Sequence, residues 1–454
     1  MKNILILILT TMLIFAACGG SEDASSEIES AQQKYKVTVA ESLLNIPEGL
    51  KEEYAPGEEV IIKLYTITEN YYTVTANGAE IEMDRDTSDM EFTYFKFIMP
   101  QEDVSIVIQE NPVTIPEISD IIEESEPVIE ESPNMNLLTG IADLSDEAIG
   151  KRPVAIMVNN IPAAMPQYGI DEADVIFEIP VEGYQTRLMC IYADYTQIPQ
   201  VCSVRSCRKY FPAIALGFDA IYVNCGQFYG IDSYVNSLGI VQYDGRRDKH
   251  GIFIRDQERL NAGYAVEHTL YFDAPRFPEI LALDGVDMNL KEEKLSAAFN
   301  FNGINEQIVP DGEACTDIYV DFGSNESGFI YDEETKTYFK TYYNKLKDAV
   351  LPQCDGRTGN QLQFTNLFIL HNPVMFDSSA VYNAEGHMHR QINWQGGKES
   401  LGYYISNGVK QQIYWIKESE SDYIKFYDTE GNELSINRGK SYICFNDMED
   451  TSFN

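Results

Sequence analysis

The stretch from Asn159 to Arg208 restricts the fold more than any other, because its polar residues interrupt apolar runs that are typical of buried strands. The run "RPVAIMVNN" ends in Asn159 and Asn160, "ADVIFEIPV" contains Glu178, and "TRLMCIYAD" begins with Thr186 and Arg187. Burying such polar groups without partners costs roughly 1–3 kcal/mol each. They must therefore pair with one another or face a ligand, and we expect a polar cleft among these strands.

The polar residues of this stretch form one predicted ligand-binding set. The set extends into the segment "VCSVRSCR", where serine and arginine residues alternate with apolar ones. Its members are Asn159, Asn160, Glu178, Glu182, Thr186, Arg187, Ser203, Arg205 and Arg208. Nothing in the sequence identifies the ligand.

Glu178 and Glu182 are the candidates for catalysis. Carboxylates four residues apart in an extended segment lie on the same face, and such a pair can supply an acid and a base if burial separates their pKa values. The alternative is an ion-paired network in which one carboxylate holds Arg187 or Arg205 in place. The sequence contains no Gly-x-Ser-x-Gly, Walker loop, Gly-x-Gly-x-x-Gly after a strand or His-Glu-x-x-His motif, so a non-enzymatic role is favoured while catalysis stays open.

Ser203, Arg205, Ser206 and Arg208 suggest an anion site. If this segment opens a helix, Ser203 would cap it and the first amide groups would point at an anion. Arginine adds a planar fork that suits carboxylate or phosphate. The alternative is a capped helix whose arginines bridge to the acidic strands.

The motifs "RPVAIMVNN", "ADVIFEIPVEGYQTRLMCIY" and "VRSCRKYFPAIA" resemble the core of the bacterial lipoproteins related to YerB, a family labelled as a domain of unknown function. The resemblance continues at "DGRTGNQLQFTNLFIL" and through "IKFYDTEGNELSINRGKSYICF". It implies a lipid-anchored surface protein with a mixed core in two parts and no established activity. Cys207 stands where a small residue is usual, and Glu267-His268-Thr269 where Pro-His-Asn is typical, which weakens any role for the His268 loop.

The start of the chain predicts export. Residues 1–18 combine a positive start, an apolar run too short to span a membrane and the ending Phe15-Ala16-Ala17-Cys18. This ending resembles a lipobox, which implies a lipid such as diacylglycerol or palmitate attached at Cys18. We expect a protein anchored to the extracytoplasmic face of the cell membrane, with residues 19–34 as a disordered tether.

The segments that follow predict an α+β protein whose two-part mixed α/β core is preceded by a small all-β domain. Residues 35–110 alternate as short strands, with an Asn77-Gly78 hairpin turn, and resemble bacterial surface β-repeats. Residues 111–136 form an acidic linker. We expect a first core part at residues 137–300 and a second, strand-rich part at residues 301–450, with helices near residues 231–238 and 278–283.

Charge and metal-binding residues limit the partners. The net charge of −39 repels nucleic acid, so nucleic-acid binding is not expected. His387 and His389 lie on one side of a predicted strand and are weak metal candidates, but their polar segment is expected to be exposed, and no metal or other cofactor is predicted. Cys202 and Cys207 are the only close cysteine pair, and two buried thiols are favoured over a disulfide or a zinc site.

Three functions remain open at this point. The favoured one is binding of a cell-envelope ligand or partner, such as a cell-wall component or an envelope protein, through the polar cleft. The second is a hydrolase or transferase acting on cell-wall glycan or peptide, with Glu178 or Glu182 as acid or base. The third is a passive surface scaffold for protein partners, presented by the β-repeat domain.

Overall fold

A computed structural model of the protein describes residues 33–41, 50–65, 70–81, 83, 92–112, 132–227, 231–345, 347–373, 375–381 and 388–454. The predicted signal peptide with Cys18, most of the tether and most of the acidic linker lie outside these residues, so those predictions stay predictions. The chain divides into two compact units, Met1–Pro127 and Val128–Asn454. Among the described residues, none of the helices combines the length and hydrophobicity that a membrane span requires.

In the described part of the first unit, all regular secondary structure is β-strand. The strands are β1 (Tyr35–Glu41), β2 (Glu53–Tyr54), β3 (Glu59–Tyr65), β4 (Asn70–Ala76), β5 (Ala79–Ile81), β6 (Phe92–Ile98) and β7 (Val104–Pro112). They form a sheet of order β2-β1-β7-β4-β5 and the pair β3-β6. Asn77 and Gly78 both have positive φ and join β4 to β5, which confirms the predicted hairpin turn. The similarity to surface β-repeats stays a prediction.

The second unit is also mostly strand, with four short α-helices among its described residues. Its first half contains β8 (Val154–Asn159), β9 (Val175–Pro180), β10 (Thr186–Tyr192), β11 (Val201–Cys202), α1 (Tyr210–Gly217), β12 (Ile221–Asn224), α2 (Asp232–Ser237), β13 (Gln242–Asp244), β14 (Phe253–Arg255), α3 (Gln257–Asn261), β15 (Leu270–Phe272) and α4 (Phe277–Leu283). Helices α2 and α4 confirm the two predicted near residues 231–238 and 278–283.

The rest of the second unit contains only strands and short 3-10 turns among its described residues. The strands are β16 (Glu313–Ala314), β17 (Asp317–Asp321), β18 (Glu326–Asp332), β19 (Thr337–Asn344), β20 (Ala349–Pro352), β21 (Gln363–Phe364), β22 (Asn366–His371), β23 (Met375–Val381), β24 (Met388–Gln391), β25 (Gly396–Ser406), β26 (Val409–Ile416), β27 (Lys425–Tyr427), β28 (Ser441–Asn446) and β29 (Thr451–Phe453). The α+β class therefore holds in coarse form, with less helix than the mixed core that the sequence suggests.

One sheet of eleven strands runs through the whole second unit. Its order is β13-β12-β8-β10-β9-β28-β22-β25-β26-β16, with β27 paired to β26. At its centre β9 pairs in parallel with β28, so that Val175 lies opposite Ser441 and Glu178 opposite Cys444. Strands from both predicted core parts thus share one continuous sheet.

The central strands are buried because both faces of the sheet are covered. Alternate residues point to opposite faces, so Met157 and Phe177 belong to one hydrophobic cluster while Ile156 and Ile176 belong to the other. Helix α1 packs on the first face. Helix α4 and a six-stranded sheet of order β20-β19-β18-β17-β29, with β21 on β19, cover the second. Because both faces of these strands are buried, the sequences of β8, β9 and β10 are almost continuously apolar.

Strands of the central sheet that run in one direction end at the same edge, which we call the carboxyl edge. Strands β8, β9, β12, β22 and β28 all run in one direction, since β12 and β8, β22 and β28, and β28 and β9 pair in parallel and β10 is antiparallel to both β8 and β9. Their last residues are Asn159, Pro180, Asn224, His371 and Asn446. In open sheets with parallel strands, ligands commonly bind at this end.

The described cysteines are all unbridged. Cys202 and Cys207 are both fully buried, which confirms that they behave as small apolar residues.

Candidate functional site

The polar residues predicted to line a cleft do come together at the carboxyl edge. Asn159 ends β8 and Asn160 follows it, while Thr186 and Arg187 begin β10 opposite Pro180 and Asn159. A 3-10 turn, Glu182–Tyr184, links β9 to β10. These residues separate into an inner network around Glu178 and an outer cluster of arginines.

The inner network surrounds the carboxylate of Glu178, which is fully buried. Its Oε1 accepts hydrogen bonds from Asn160 Nδ2 at 2.7 Å and Thr186 Oγ1 at 2.7 Å. Its Oε2 accepts from Ser327 Oγ at 2.8 Å and Tyr442 OH at 2.8 Å. Two of these donors come from the first core part and two from the second, so the carboxylate joins the two parts.

A buried lysine accompanies this carboxylate. Lys340 is fully buried, its Nζ donates to the carbonyl of Thr341 at 2.9 Å, and it lies 4.9 Å from the centre of the Phe329 ring. Burial lowers the pKa of Lys340, while the nearby charge of Glu178 opposes that change. The pair places one negative and one positive group in the same dry interior.

The inner network is closed to substrates. The crevice above it, lined by Asn160, Ser327, Tyr342 and others, has no volume that a water molecule could occupy. Both oxygens of Glu178 already accept two hydrogen bonds each. This geometry matches a structural network and leaves Glu178 little means to exchange a proton with a ligand.

Glu182 forms a buried ion pair with Arg208. Arg208 Nε lies 2.6 and 2.8 Å from the two carboxylate oxygens, and Nη2 lies 2.6 Å from Oε2. Burial raises the pKa of Glu182, but the hydrogen bonds and charge of Arg208 outweigh burial and bring the pKa to about 2. A carboxyl with this pKa is ionised at neutral pH and is a poor general acid.

The partner of Glu182 differs from the sequence expectation, which was Arg187 or Arg205. Helix α1 begins at Tyr210, whose hydroxyl donates to the carbonyl of Pro180 at 2.5 Å. This bond ties the start of α1 to the end of β9 and so brings Arg208 opposite the 3-10 turn. An ion pair of Glu182 with Arg187 or Arg205 was therefore the wrong choice, whereas the alternative in which an arginine of residues 203–208 bridges to the acidic strands is confirmed for Arg208.

Arg187 is a buried cation with other arginines nearby. Its Nη1 donates to the carbonyl of Ser206 at 2.5 Å, and it forms no ion pair with the described residues. Burial, together with the charges of Arg208 and Arg205, lowers the pKa of Arg187 to about 9 against the opposing charge of Glu182. We call Arg187, Arg205 and Arg208 the arginine cluster.

Ser203 does not cap a helix, so that expectation was wrong. Helix α1 begins seven residues later and has no side-chain cap. The carbonyl of Ser203 instead accepts a hydrogen bond from the Asn159 amide at 2.9 Å, and Val204 bridges to Val158, which keeps the segment extended along β8. Ser203 is fully buried, and its hydroxyl has no hydrogen-bond partner among the described residues.

The remaining predicted site residues are Asn159, which contacts His268, and the metal candidates His387 and His389. Asn159 Nδ2 lies 3.0 Å from His268 Nδ1, and burial together with the charge of Arg205 lowers the pKa of His268. His387 and the side chain of His389 lie outside the described residues, so the metal candidate stays a prediction. In the described residues, no three His, Cys, Asp or Glu side chains gather as metal ligands.

Sequence reasoning missed Arg390 and Tyr184. Arg390, on β24, is buried, and its guanidinium lies 5.4 Å from the centre of the Tyr184 ring. Arg390 is about 200 residues from the turn that it contacts, and no local pattern marks it. Tyr184 could be recognised only as part of a turn.

Comparisons with known proteins match both core parts. The family model described as "Protein of unknown function (DUF3048) N-terminal domain" matches residues 138–287, and the model for the DUF3048 C-terminal domain matches residues 318–443. A relative from Bacillus subtilis (strain 168), named "Putative lipoprotein YerB", is 27% identical over 280 residues, which are 60% of this chain and 76% of the relative. This homology supports an uncharacterised lipoprotein with a membrane-anchored location in the cell envelope.

The fold has a match among solved structures. The crystal structure of YerB from Bacillus subtilis aligns with a TM-score of 0.57 and 23% identity, covering 71% of this chain and 99% of the other. At this identity the match shows the fold alone.

Replacing Glu178 tests the inner network. We expect Glu178→Ala to lower the free energy of unfolding by roughly 3–5 kcal/mol, because it removes the counter-charge of buried Lys340 and leaves four hydrogen-bond donors unpaired. Glu172→Ala, at an exposed carboxylate, should change it by less than about 0.5 kcal/mol. Urea unfolding followed by circular dichroism measures both. A loss below about 1 kcal/mol for Glu178→Ala would contradict the role that we assign to the network.

Acid titration tests the pair of Glu182 and Arg208. The folded pKa of about 2 lies below the ordinary 4.5, so the pair stabilises the fold fully above pH 4.5 and loses this effect as the pH falls through 2. The shift corresponds to roughly 3 kcal/mol. The difference in unfolding free energy between wild type and Glu182→Gln should therefore narrow by about that amount between pH 5 and pH 2. A constant difference over this range would refute the ion pair.

Proposed function

The chain belongs to the DUF3048 family of proteins of unknown function, and we propose that it is a lipid-anchored extracytoplasmic protein that binds an anionic cell-envelope ligand at the carboxyl edge of its central sheet. The lipid anchor is supported by the lipobox-like residues Phe15-Ala16-Ala17-Cys18 and by the similarity to a putative lipoprotein. Binding is supported by the geometry of the carboxyl edge.

The observation that carries the proposal is that Arg187 is a buried cation that forms no ion pair with the described residues, although Arg208 and Arg205 lie close enough to lower its pKa. The nearby carboxylate of Glu182 is engaged by Arg208 through three hydrogen bonds. The further carboxylates that act on this region are Glu267, Asp447 and Asp450, which interact with Arg205, His268 and Arg390.

Such an arrangement is costly without a ligand. Burial and then the like charges of Arg208 and Arg205 lower the pKa of Arg187, so its charged form is unfavourable there without a counter-charge. A bound anion would restore the missing negative charge and accept the planar fork of arginine. The cluster is all the more distinctive in a chain whose net charge is −39.

The location of the cluster agrees with this proposal. Arg187 begins β10 beside the end of β8, and the amide of Arg205 donates to Met157 of the same strand at 3.0 Å. Arg187 therefore lies on a rigid strand end, and the backbone of Arg205 is hydrogen-bonded to the neighbouring strand. A site on such elements holds its groups in fixed positions, which favours tight binding.

A hydrolase or transferase acting on cell-wall glycan or peptide remains the alternative. It requires a carboxyl group that can exchange a proton with substrate. Glu178 is enclosed by four donors, and Glu182 has a pKa of about 2, so neither is well placed for that work. Turnover of a wall fragment that is lost in Glu182→Gln with binding unchanged would favour the enzyme.

Substituting Arg205 tests binding. We expect the full-length protein in detergent to gain thermal stability with wall fragments, glycerol phosphate oligomers or both, since a ligand at about 100 times its dissociation constant adds about 2.7 kcal/mol. Arg205→Ala should weaken binding at least tenfold by calorimetry, because a charged hydrogen bond is worth roughly 1.5–3 kcal/mol. Arg276→Ala, at a half-exposed arginine elsewhere on the surface, should not change the affinity.

Two outcomes would contradict the proposal. Equal affinities for wild type and Arg205→Ala would place the ligand elsewhere. No stabilisation by any anionic fragment would remove the support for ligand binding and favour a scaffold for protein partners.

A further inference from the structure

A pocket lies against β13, the strand that ends the central sheet on one side. It is formed by β13, the loop between β13 and β14, and the residues that follow α4, and its volume is about 320 Å³. Pockets that bind small molecules have volumes of roughly 300 Å³ or more. Its lining includes no residue of the arginine cluster or of the inner network, so it is a separate feature of the chain.

Asp284 organises the polar side of this pocket. Its Oδ1 accepts a hydrogen bond from Lys249 Nζ at 2.9 Å, and its Oδ2 accepts one from Tyr243 OH at 3.0 Å. His250 Nε2 lies 3.1 and 3.0 Å from the same two oxygens. The bond from Lys249, with those from Tyr243 and His250, lowers the pKa of Asp284 to about 2. The ionised carboxylate therefore holds β13 and the loop after it to the end of α4.

The carboxylates that line the pocket are already satisfied within the protein. Asp244 accepts four hydrogen bonds, three from Arg246 and one from the Gly226 amide. Asp248 accepts three from backbone amides of its own loop. With Asp284 engaged as well, these groups leave few acceptors for a ligand.

Two cations of the lining keep donors for a ligand. The side chains of Arg247 and Lys249 are 65% and 68% exposed, whereas those of Asp244 and Asp284 are only 4% and 17% exposed. Among the described residues, each cation forms one ion pair, Arg247 with Asp232 at 3.0 Å and Lys249 with Asp284. A guanidinium has five N–H donors and an ammonium has three, so most of them stay available. A ligand that enters from solvent meets these donors before the recessed carboxylates.

The charges around the pocket favour a ligand with a single negative charge. The lining residues and their ion-pair partners comprise three cations and four carboxylates, namely Arg246, Arg247, Lys249, Asp232, Asp244, Asp248 and Asp284. A doubly charged phosphate would be repelled by this small excess of carboxylates. A carboxylate spreads one charge over two oxygens, which suit the fork of an arginine.

The other side of the pocket is apolar. Val241, Val286 and the ring of Phe253 line it, and the ring of Tyr243 is held by an edge contact with Phe277 at 4.9 Å. Covering this wall removes apolar surface from water, which favours a ligand with an apolar body. A bare anion would leave the wall uncovered, and a purely apolar molecule would leave the cations unused.

We propose that the pocket beside β13 binds a small organic carboxylate, whose charged group contacts Arg247 and Lys249 while its apolar body packs on Tyr243, Phe253 and the two valines. This site is additional to the one in the proposed function and does not depend on it. Asp284 keeps the ammonium of Lys249 at the pocket.

Three probes test the proposal on the full-length protein in detergent. They are N-acetyl-leucine, which has both parts, N-acetyl-leucinamide, which lacks the charge, and acetate, which lacks the apolar body. The backbone amide signals of Val241, Lys249 and His250 are followed by nuclear magnetic resonance during each titration. We expect saturable shifts with N-acetyl-leucine and an affinity about tenfold lower for each of the other two probes.

Substitutions at three positions locate the charged contact. Lys249→Met keeps the length of the side chain without its charge and should weaken N-acetyl-leucine about tenfold while changing N-acetyl-leucinamide less than about twofold. Lys425→Met is the matched control, since Lys425 is 53% exposed and also pairs with a carboxylate, that of Glu433 at 3.5 Å. It should leave the affinity unchanged, as should Arg205→Ala. Thermal unfolding checks that each variant is folded.

Two results would overturn the proposal. If no probe shifts these amide signals along a saturating curve, the pocket does not bind this class of ligand. If N-acetyl-leucinamide binds as tightly as N-acetyl-leucine, or if Lys249→Met binds N-acetyl-leucine as wild type does, the carboxylate assignment is wrong. Neither result bears on binding that depends on Arg205, so failure here is distinct from failure of the proposed function.

Discussion

The carboxylate of Glu178 accepts hydrogen bonds from both parts of the core, and the geometry of the carboxyl edge depends on it. Burying a charge costs several kcal/mol unless it is paired and fully hydrogen-bonded. Thr186 supplies a donor from one part, Tyr442 supplies one from the other, and Lys340 supplies the opposite charge. This requirement fixes how β9 and β28 align, because a slip of one residue would move Glu178 to the other face of the sheet.

The outer site follows from that alignment. Once β28 lies beside β9, the second core part contributes the turn that holds Tyr184 and the strand that carries Arg390. The first part contributes Arg187 and Arg208. The charges that suggest a ligand therefore come from segments far apart in sequence, and they converge because the central sheet is continuous.

The sequence predicted those parts of the site that depend on local patterns. The apolar runs of β8, β9 and β10 and the polar residues at their ends were enough to bring Asn160, Glu178 and Thr186 together. The choice of Arg208 over Arg205 or Arg187 as the partner of Glu182, and the extended path of Ser203, could not be predicted, because both follow from how α1 and β11 pack on the sheet edge.

Contacts between residues far apart in the chain also could not be predicted from the sequence. The pairing of β9 with β28 joins residues more than 260 positions apart, and Arg390 reaches Tyr184 from a separate hairpin. Apolar periodicity indicates that such strands are buried and says nothing about their neighbours. The closed network and the arginine cluster arise from these pairings, which explains why sequence alone could not choose between catalysis and structure for Glu178.

Nuclear magnetic resonance of the arginine side chains tests the central claim most directly. The Nε–H signals of Arg187, Arg205 and Arg276, assigned with lysine variants, would be followed while an anionic wall fragment or a glycerol phosphate oligomer is added to the full-length protein. The account predicts that the signals of Arg187 and Arg205 shift along one saturating curve while that of Arg276 stays fixed. Saturable binding with the Arg187 and Arg205 signals unchanged would contradict an anion site at the carboxyl edge.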